Sequence, residues 1–193
     1  MSFSIFDPTG FLSPFVLIPK LMLQRLWAQG RNWDDDVDPA ISSEWRQWLE
    51  GCKNLPKIRI DRCYYRGDNL PIEIQLHVFC DASEAAYGTV AYLRYTFKSG
   101  EHVTSLVMSK SRVAPYVAVT LPRLELNAAV AGIRLYRLLI RELDLPIVRI
   151  CFWSDSTLTV QYVQNKTHRF KTYVANRVSE ILQFSQENLN GDM

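Results

Sequence analysis

Little in this chain looks stapled. Its four cysteines, Cys52, Cys63, Cys80 and Cys151, contain no pair at CxxC spacing, and none of its three histidines stands at zinc-finger distance from them. A disulfide framework and a structural zinc are therefore not expected, and a reduced, intracellular protein is, cytoplasmic or nuclear. Cys80 and Cys151 sit inside apolar runs and read as small packing residues. Long apolar stretches are also missing. The best candidate, Phe11–Leu26, is interrupted by Pro14, Pro19, Lys20 and Arg25, and no basic segment precedes an apolar one at the N-terminus. This argues against a signal peptide and a membrane span. There is no repeat, no low-complexity tract and almost no net charge, at +2. Protease words are missing too. Asp155-Ser156-Thr157 lacks the glycine of an aspartic protease loop, Asp7-Pro8-Thr9-Gly10 carries an inserted proline, and no nucleophile elbow occurs.

What is present suits one globular domain, or one domain with an appendage. Hydrophobic residues make up 48% and charged residues 22% of 193 positions, enough to build a core without staples. Between Lys110 and Arg177 there are eleven basic residues against four acidic ones. A solvated helix face and a phosphate-facing surface are equally good readings of that bias.

The spacing predicts two amphipathic helices in the first sixty residues, one from Ser13-Pro14 to Trp27 and one opening at Pro39-Ala40-Ile41. Trp45 and Trp48 fall on the apolar face of the second. The polar stretch 61–71 reads as a linker. Beyond it, Ile72–Cys80, Gly88–Phe97 and His102–Met108 read as three strands joined by short antiparallel connections. Leu121–Leu143 is the strongest helix, with Thr120 as its expected cap and Pro122 in its first turn. A short strand, Val148–Trp153, and two helices, Thr157–Gln164 and Thr172–Phe184, complete the order. Strand, long helix, strand suggests a parallel crossover fused to an antiparallel meander, an α/β fold with a mixed sheet.

Three acids stand at positions where chemistry could collect. Asp81 ends an apolar strand in Phe79-Cys80-Asp81-Ala82-Ser83. Glu125 lies near the start of the long helix in Leu121-Pro122-Arg123-Leu124-Glu125-Leu126. Asp155 ends the next strand in Phe152-Trp153-Ser154-Asp155-Ser156. Each alone has a plain explanation: an Asx-turn for Asp81, a favourable helix N-terminal charge for Glu125, a helix cap for Asp155. Together they fit one geometry, because neighbouring parallel strands end at the same sheet edge. Clustered carboxylates need cations, and Mg²⁺ (or Mn²⁺) takes such hard oxygen ligands. Lys110 and Arg112, expected just after the third strand, and Arg169 and Lys171, in a basic turn with His168, are candidate nucleic-acid contacts. Trp153 could stack on a base, but its apolar strand favours core packing.

These three acidic words, in this order, resemble the first three acidic motifs of retroelement ribonuclease H domains. Ser4-Ile5-Phe6-Asp7-Pro8-Thr9-Gly10-Phe11-Leu12-Ser13-Pro14, Ser111-Arg112-Val113-Ala114-Pro115 and Val174-Ala175-Asn176-Arg177-Val178 resemble the Pao (BEL) class of LTR retrotransposons, over about residues 2–184. The resemblance implies a ribonuclease H-like mixed sheet with flanking helices at 72–186. It makes residues 1–60 a helical remnant of a reverse transcriptase thumb and connection, 61–71 a linker and 187–193 a tail. It also implies Mg²⁺-dependent cleavage of RNA in an RNA–DNA hybrid, with Asp81, Glu125 and Asp155 as catalytic metal ligands. The expected partners are the hybrid and the rest of the pol polyprotein, polymerase and integrase. The residues give little support to the peptidase label often attached to this region. Two departures bear on activity. The family's fourth acid follows a final strand, and Asp192 in its polar tail does not match that word. No Tyr-X-Asp-Asp word of a polymerase palm occurs. The expectation is thus a C-terminally truncated domain with impaired catalysis, or a non-catalytic remnant that binds nucleic acid or protein.

Overall fold

The computed structural model describes residues 5–61, 63–65, 67, 69–165 and 169–189. Two helices come first, α1 (Ser13–Ala28) and α2 (Pro39–Cys52). Three strands follow, β1 (Glu73–Ala82), β2 (Ala86–Thr96) and β3 (His102–Val113). Then come α3 (Leu121–Glu142), β4 (Ile147–Ser154), α4 (Thr157–Gln164) and α5 (Thr172–Leu189). The sheet order is β3-β2-β1-β4. The β1–β2 and β2–β3 pairs are antiparallel and β1–β4 is parallel. The expected mixed sheet with flanking helices is therefore present. No described helix is long and apolar enough to cross a membrane.

Strand alternation divides the sheet into two unlike faces. Ile74, Leu76, Val78 and Cys80 of β1 are buried with Ala91, Leu93 and Tyr95 of β2, under the apolar stripe of α3 and the buried Val178, Ile181 and Phe184 of α5. Gly132 lets α3 approach the sheet closely: a Cβ there would lie 2.4 Å from the Cys80 sulfur. The opposite face of β1 carries Glu73, Gln75, His77, Phe79 and Asp81. A polar chain runs along it. The Trp153 indole N–H donates to His77 Nδ1 at 3.0 Å, His77 Nε2 lies 3.0 Å from Gln75 Oε1, and Gln75 Nε2 donates to Glu73 Oε1 at 2.8 Å. Indole can only donate, so His77 Nδ1 must be unprotonated and the ring neutral. Burial, then Arg94 and Arg149, hold the His77 pKa below its ordinary value.

The first two helices are not an independent appendage. Met22, Ile41 and Trp48 form a small core of their own, but the segment before α1 is sewn to β3. Ser109 donates its backbone N–H to the Thr9 carbonyl at 2.8 Å and its hydroxyl to the Gly10 carbonyl at 2.6 Å. Gln24 reaches the Ala114 carbonyl at 2.6 Å. Gly10 has φ +78°, and a Cβ there would meet the Ser109 carbonyl oxygen at 1.9 Å. Only glycine fits both the backbone and the contact.

Three expectations need correction. The third strand runs on to Val113, so Lys110 and Arg112 lie inside β3 rather than after it. The polar Ser109–Arg112 stretch hides a strand whose partners, Thr89 and Tyr87 among them, come from β2. Thr120 occupies the N-cap of α3 but makes no side-chain cap bond. Trp153 is not packed in the core. It is 50% exposed, because β4 is an edge strand and the residue falls on the face away from α3.

Two outcomes follow for stability. Gly132→Ala should lower the urea midpoint by the equivalent of about 1–3 kcal/mol, the usual cost of overpacking; an unchanged midpoint would mean that α3 stands further from β1. The pH dependence of His77 has a fixed sign. The unfolded chain binds a proton more readily than the folded one, so its contribution is intact above the ordinary histidine value and is lost as pH falls below it. The indole N–H resonance of Trp153, followed by NMR, should shift in the same acid window; an unmoved resonance there would break the link.

Candidate functional site

The parallel β1–β4 pair determines where two of the three acids lie. Phe79 stands beside Trp153 and Cys80 beside Ser154. One further step along both chains reaches Asp81, the penultimate residue of β1, and Asp155, the first residue after β4. Both side chains are exposed at this edge. Asp81 Oδ1 accepts the Ala82 backbone N–H at 2.7 Å, so the Asx-type contact expected of a turn former is present without removing the residue from the strand.

Glu125 reaches the same edge from α3. It is half-buried, and its carboxylate accepts a short hydrogen bond from the Ser156 hydroxyl. Ser156 is 5% exposed and caps α4, its Oγ accepting the Thr159 N–H at 3.1 Å. One hydroxyl thus ties Glu125 to the residue that follows Asp155. The cap of α4 is Ser156, not Asp155, which leaves the Asp155 carboxylate free of the role that best explained it alone.

The three acids are therefore brought to one sheet edge, two by strand register and the third by a hydrogen bond next door. They do not form one closed cluster. Among the described residues, no group of three His, Cys, Asp or Glu side chains is arranged to hold a metal ion. In kind, the donors suit a hard divalent cation, since all are carboxylate oxygens.

A basic groove of about 580 Å³ lies between β3, α3 and α5. Lys110 and Arg112 line it from β3, with Asn127 and Arg134 from α3 and Tyr173 and Arg177 from α5. The Arg177 guanidinium donates to Asn127 Oδ1, which also accepts the Tyr173 hydroxyl at 3.1 Å. Arg177 stacks 3.5 Å from the Tyr173 ring centroid, and Arg123 lies 5.0 Å from the same centroid. Arg134 is neutralised by a two-pronged bond to Glu180, at 2.7 and 2.9 Å, and that hydrogen bond, above all, holds the Glu180 carboxyl below its ordinary pKa. Among the described residues, no carboxylate lies within ion-pair distance of Lys110, Arg112 or Arg123, while Arg177 is close enough to Glu180 to act on its carboxyl.

Of the basic candidates, Lys110 and Arg112 are thus brought together with partners, whereas Arg169 and Lys171, both exposed before α5, do not line this groove. His168 lies outside the described residues. Sequence reading did not single out Ser156, Asn127, Tyr173 or Arg177. A signal was available: Arg123 and Asn127, and Tyr173 and Arg177, are each spaced i, i+4 on one helix face.

Solved structures with similar shapes include RNase H1 from the archaeon Halobacterium salinarum, at 11% identity and TM-score 0.38, covering 58% of this chain and 77% of that one. The N-terminal RNase H domain of a Mycobacterium tuberculosis protein gives 8% identity and TM-score 0.36, covering 60% and 75%. A foamy viral protease-reverse transcriptase, solved with double-stranded DNA, gives 16% identity and TM-score 0.27; the likeness covers 92% of this chain but 38% of that one. These likenesses are loose. No curated protein matches the sequence. The decisive match is to a family model, the Pao retrotransposon-like RNaseH-like domain, over residues 2–156. Its bounds enclose the segment docked on β3, the strand and helix that carry Asp81 and Glu125, and Asp155-Ser156. The chain belongs to the Pao retrotransposon-like RNaseH-like domain family.

Proposed function

We propose that this chain is the hybrid-cleaving part of a retrotransposon pol polyprotein, hydrolysing the RNA strand of an RNA–DNA hybrid with Asp81, Glu125 and Asp155 as the catalytic acids. The observation that supports the reading is the parallel β1–β4 register, whose last pair, Cys80 and Ser154, directly precedes Asp81 and Asp155 in sequence, with Glu125 hydrogen-bonded to Ser156. On this reading the three carboxylates hold Mg²⁺ (or Mn²⁺). When bound, such ions lower the pKa of water and stabilise charge on phosphodiester oxygens. The protein's own part is positioning. Ser156 fixes the Glu125 carboxylate against the start of α4, and the β1–β4 pairing keeps the two aspartates from drifting apart.

The basic groove supports the nucleic-acid half of the reading. Asn127, which lines the groove from α3, is two residues beyond Glu125 on the same helix. Lys110, Arg112 and Arg177 would meet backbone phosphates, contacts that position a duplex without reading its sequence. Hybrid recognition then rests on shape and the 2′-hydroxyl. Arg169 and Lys171 would extend the contact from the start of α5. Residues 1–60 are read as a thumb and connection remnant, 61–71 as the linker and 72–186 as the domain proper. Polymerase and integrase are the polyprotein partners of an intracellular protein.

A second reading has its own observation. Glu125 is engaged by a protein hydroxyl and the three acids form no closed cluster, which suits a domain that binds nucleic acid without cutting it.

Cleavage of a labelled RNA–DNA hybrid in Mg²⁺ or Mn²⁺ separates the two. The expected outcome is RNA cleavage that falls about a hundredfold or more in Asp81→Asn and Asp155→Asn, the scale of losing several kcal/mol of charge stabilisation. A folded protein that binds hybrid but never cuts it would establish the binding reading; cutting that persists in both variants would remove the acids from catalysis. Lys110→Gln with Arg112→Gln should weaken hybrid binding and reduce the slope of log affinity against log salt by about 1 to 2. A slope that does not change would move the duplex away from this groove.

A further inference from the structure

The sheet face away from α3 holds a row of aromatic rings next to the edge where Asp81 lies. Trp153 is the middle ring. Its plane is 11° from that of Phe79, with centroids 5.9 Å apart, and 17° from that of His77, with centroids 6.0 Å apart. Tyr92 meets Phe79 edge-on, at 5.9 Å and 87°. Trp153 is 50% exposed and Phe79 41% exposed. Among the described residues, α1 covers this face only on the β3 side, where Leu17 and Phe11 line a groove shared with Phe79 and Tyr92.

Two cations share the face. Arg149 of β4 pairs in register with Gln75, and Arg94 of β2 pairs with the same residue from the other side. Arg94 donates to Gln75 Oε1 at 3.2 Å. No described carboxylate pairs with either arginine, while Glu73, the nearest acid on β1, accepts from Gln75. Burial, and then both guanidiniums, hold the His77 pKa below its ordinary value, and its Nδ1 accepts the Trp153 indole N–H.

This composition selects between occupants. An apolar helix laid on Trp153 and Phe79 would bury Arg94 and Arg149 without acidic partners, at a heavy desolvation cost. A single nucleic-acid strand satisfies both features, because its bases stack on parallel rings and its phosphates meet the arginines. We infer that the His77–Trp153–Phe79 row, flanked by Arg94 and Arg149, is a docking surface for unpaired bases of a single strand, separate from the groove of Lys110 and Arg112. Through Asp81, which follows Phe79 by two residues on the same strand face, this surface abuts the proposed cleavage edge, so a strand freed from the hybrid has a place to rest. The inference does not depend on cleavage.

The test is fluorescence anisotropy of a 5′-fluorescein-labelled fifteen-residue oligothymidylate with the whole chain, beside labelled RNA–DNA hybrid. The expected result is single-strand binding that quenches Trp153 emission and weakens about tenfold in Trp153→Ala and in Phe79→Ala. Trp153→Tyr should retain most of it, and Arg149→Gln should lower its salt dependence. Hybrid binding, which uses the other groove, should stay within about twofold in the Trp153 variants; near-ultraviolet circular dichroism checks that they fold. Single-strand binding unchanged in both alanine variants would overturn the inference. So would an oligothymidylate that does not bind at all while sedimentation shows self-association abolished by Trp153→Ala, since the face would then be a protein interface.

Discussion

The parallel pairing of β1 with β4 is the interaction on which both the core and the candidate site depend. A parallel neighbour cannot be reached by a tight turn, so the chain must cross over, and α3 is the crossover. That single topological requirement has three consequences. It buries α3 on one face of the sheet, it brings the ends of β1 and β4 to one edge, and it leaves β4 on the outside. The first makes the core, the second makes the candidate site, and the third exposes Trp153. A one-residue slip between β1 and β4 would separate Asp81 from Asp155 and reverse which β4 side chains face α3, so core packing and site geometry are enforced by the same register. Phe152 shows how firmly it is held: its ring packs edge-on against Tyr136 of α3 and Phe184 of α5, while its neighbour Trp153 meets His77 and Phe79 on the other face.

The N-terminal helices matter to this arrangement because they close the far side of the sheet. β3 is the other edge strand, and an edge with free backbone groups invites pairing with another chain. Here Thr9 and Gly10 supply carbonyls to Ser109 in mid-strand, and Gly10 permits an approach no other residue could make. The region read as a polymerase remnant is thus physically part of the fold.

Much of this was legible in the sequence because it rests on periodicity and local chemistry. The alternation in β1, the long apolar stripe of α3 and the prolines in the first turns of α1, α2 and α3 all announce elements that the structure contains. The order of the elements suggested the crossover, and with it the neighbouring ends that hold Asp81 and Asp155. Other features depend on distance in space and left no local trace. Ser109 and Ser111 look like loop residues until their bonds to the Gly10 and Ser13 carbonyls are known, which is why β3 was expected to stop at Met108. Trp153 has the neighbours of a core residue in sequence, yet its environment depends on what lies beside β4. Nothing local marks Ser156, and only its hydrogen bond across to α3 makes it the partner of Glu125.

That partnership defines what the site must do to act as a nuclease. A carboxylate that accepts a short bond from a buried hydroxyl is oriented but occupied, and a cation must compete with that hydroxyl for the same oxygen or use the other one. A carboxylate has two oxygens, and the bond from Ser156 engages Oε2. On the proposed reading, Glu125 would keep its hydrogen bond from Ser156 while serving with Asp81 and Asp155 as the carboxylates that would hold a divalent cation. In that arrangement the serine acts as the outer partner that fixes a ligand's direction, and the cap of α4 becomes part of the site's support. The same hydroxyl accepts the Thr159 N–H, so the direction of Glu125 is tied to the first turn of α4. A displacement of that helix would be felt at the carboxylate, because Thr159, whose N–H reaches Ser156, is buried.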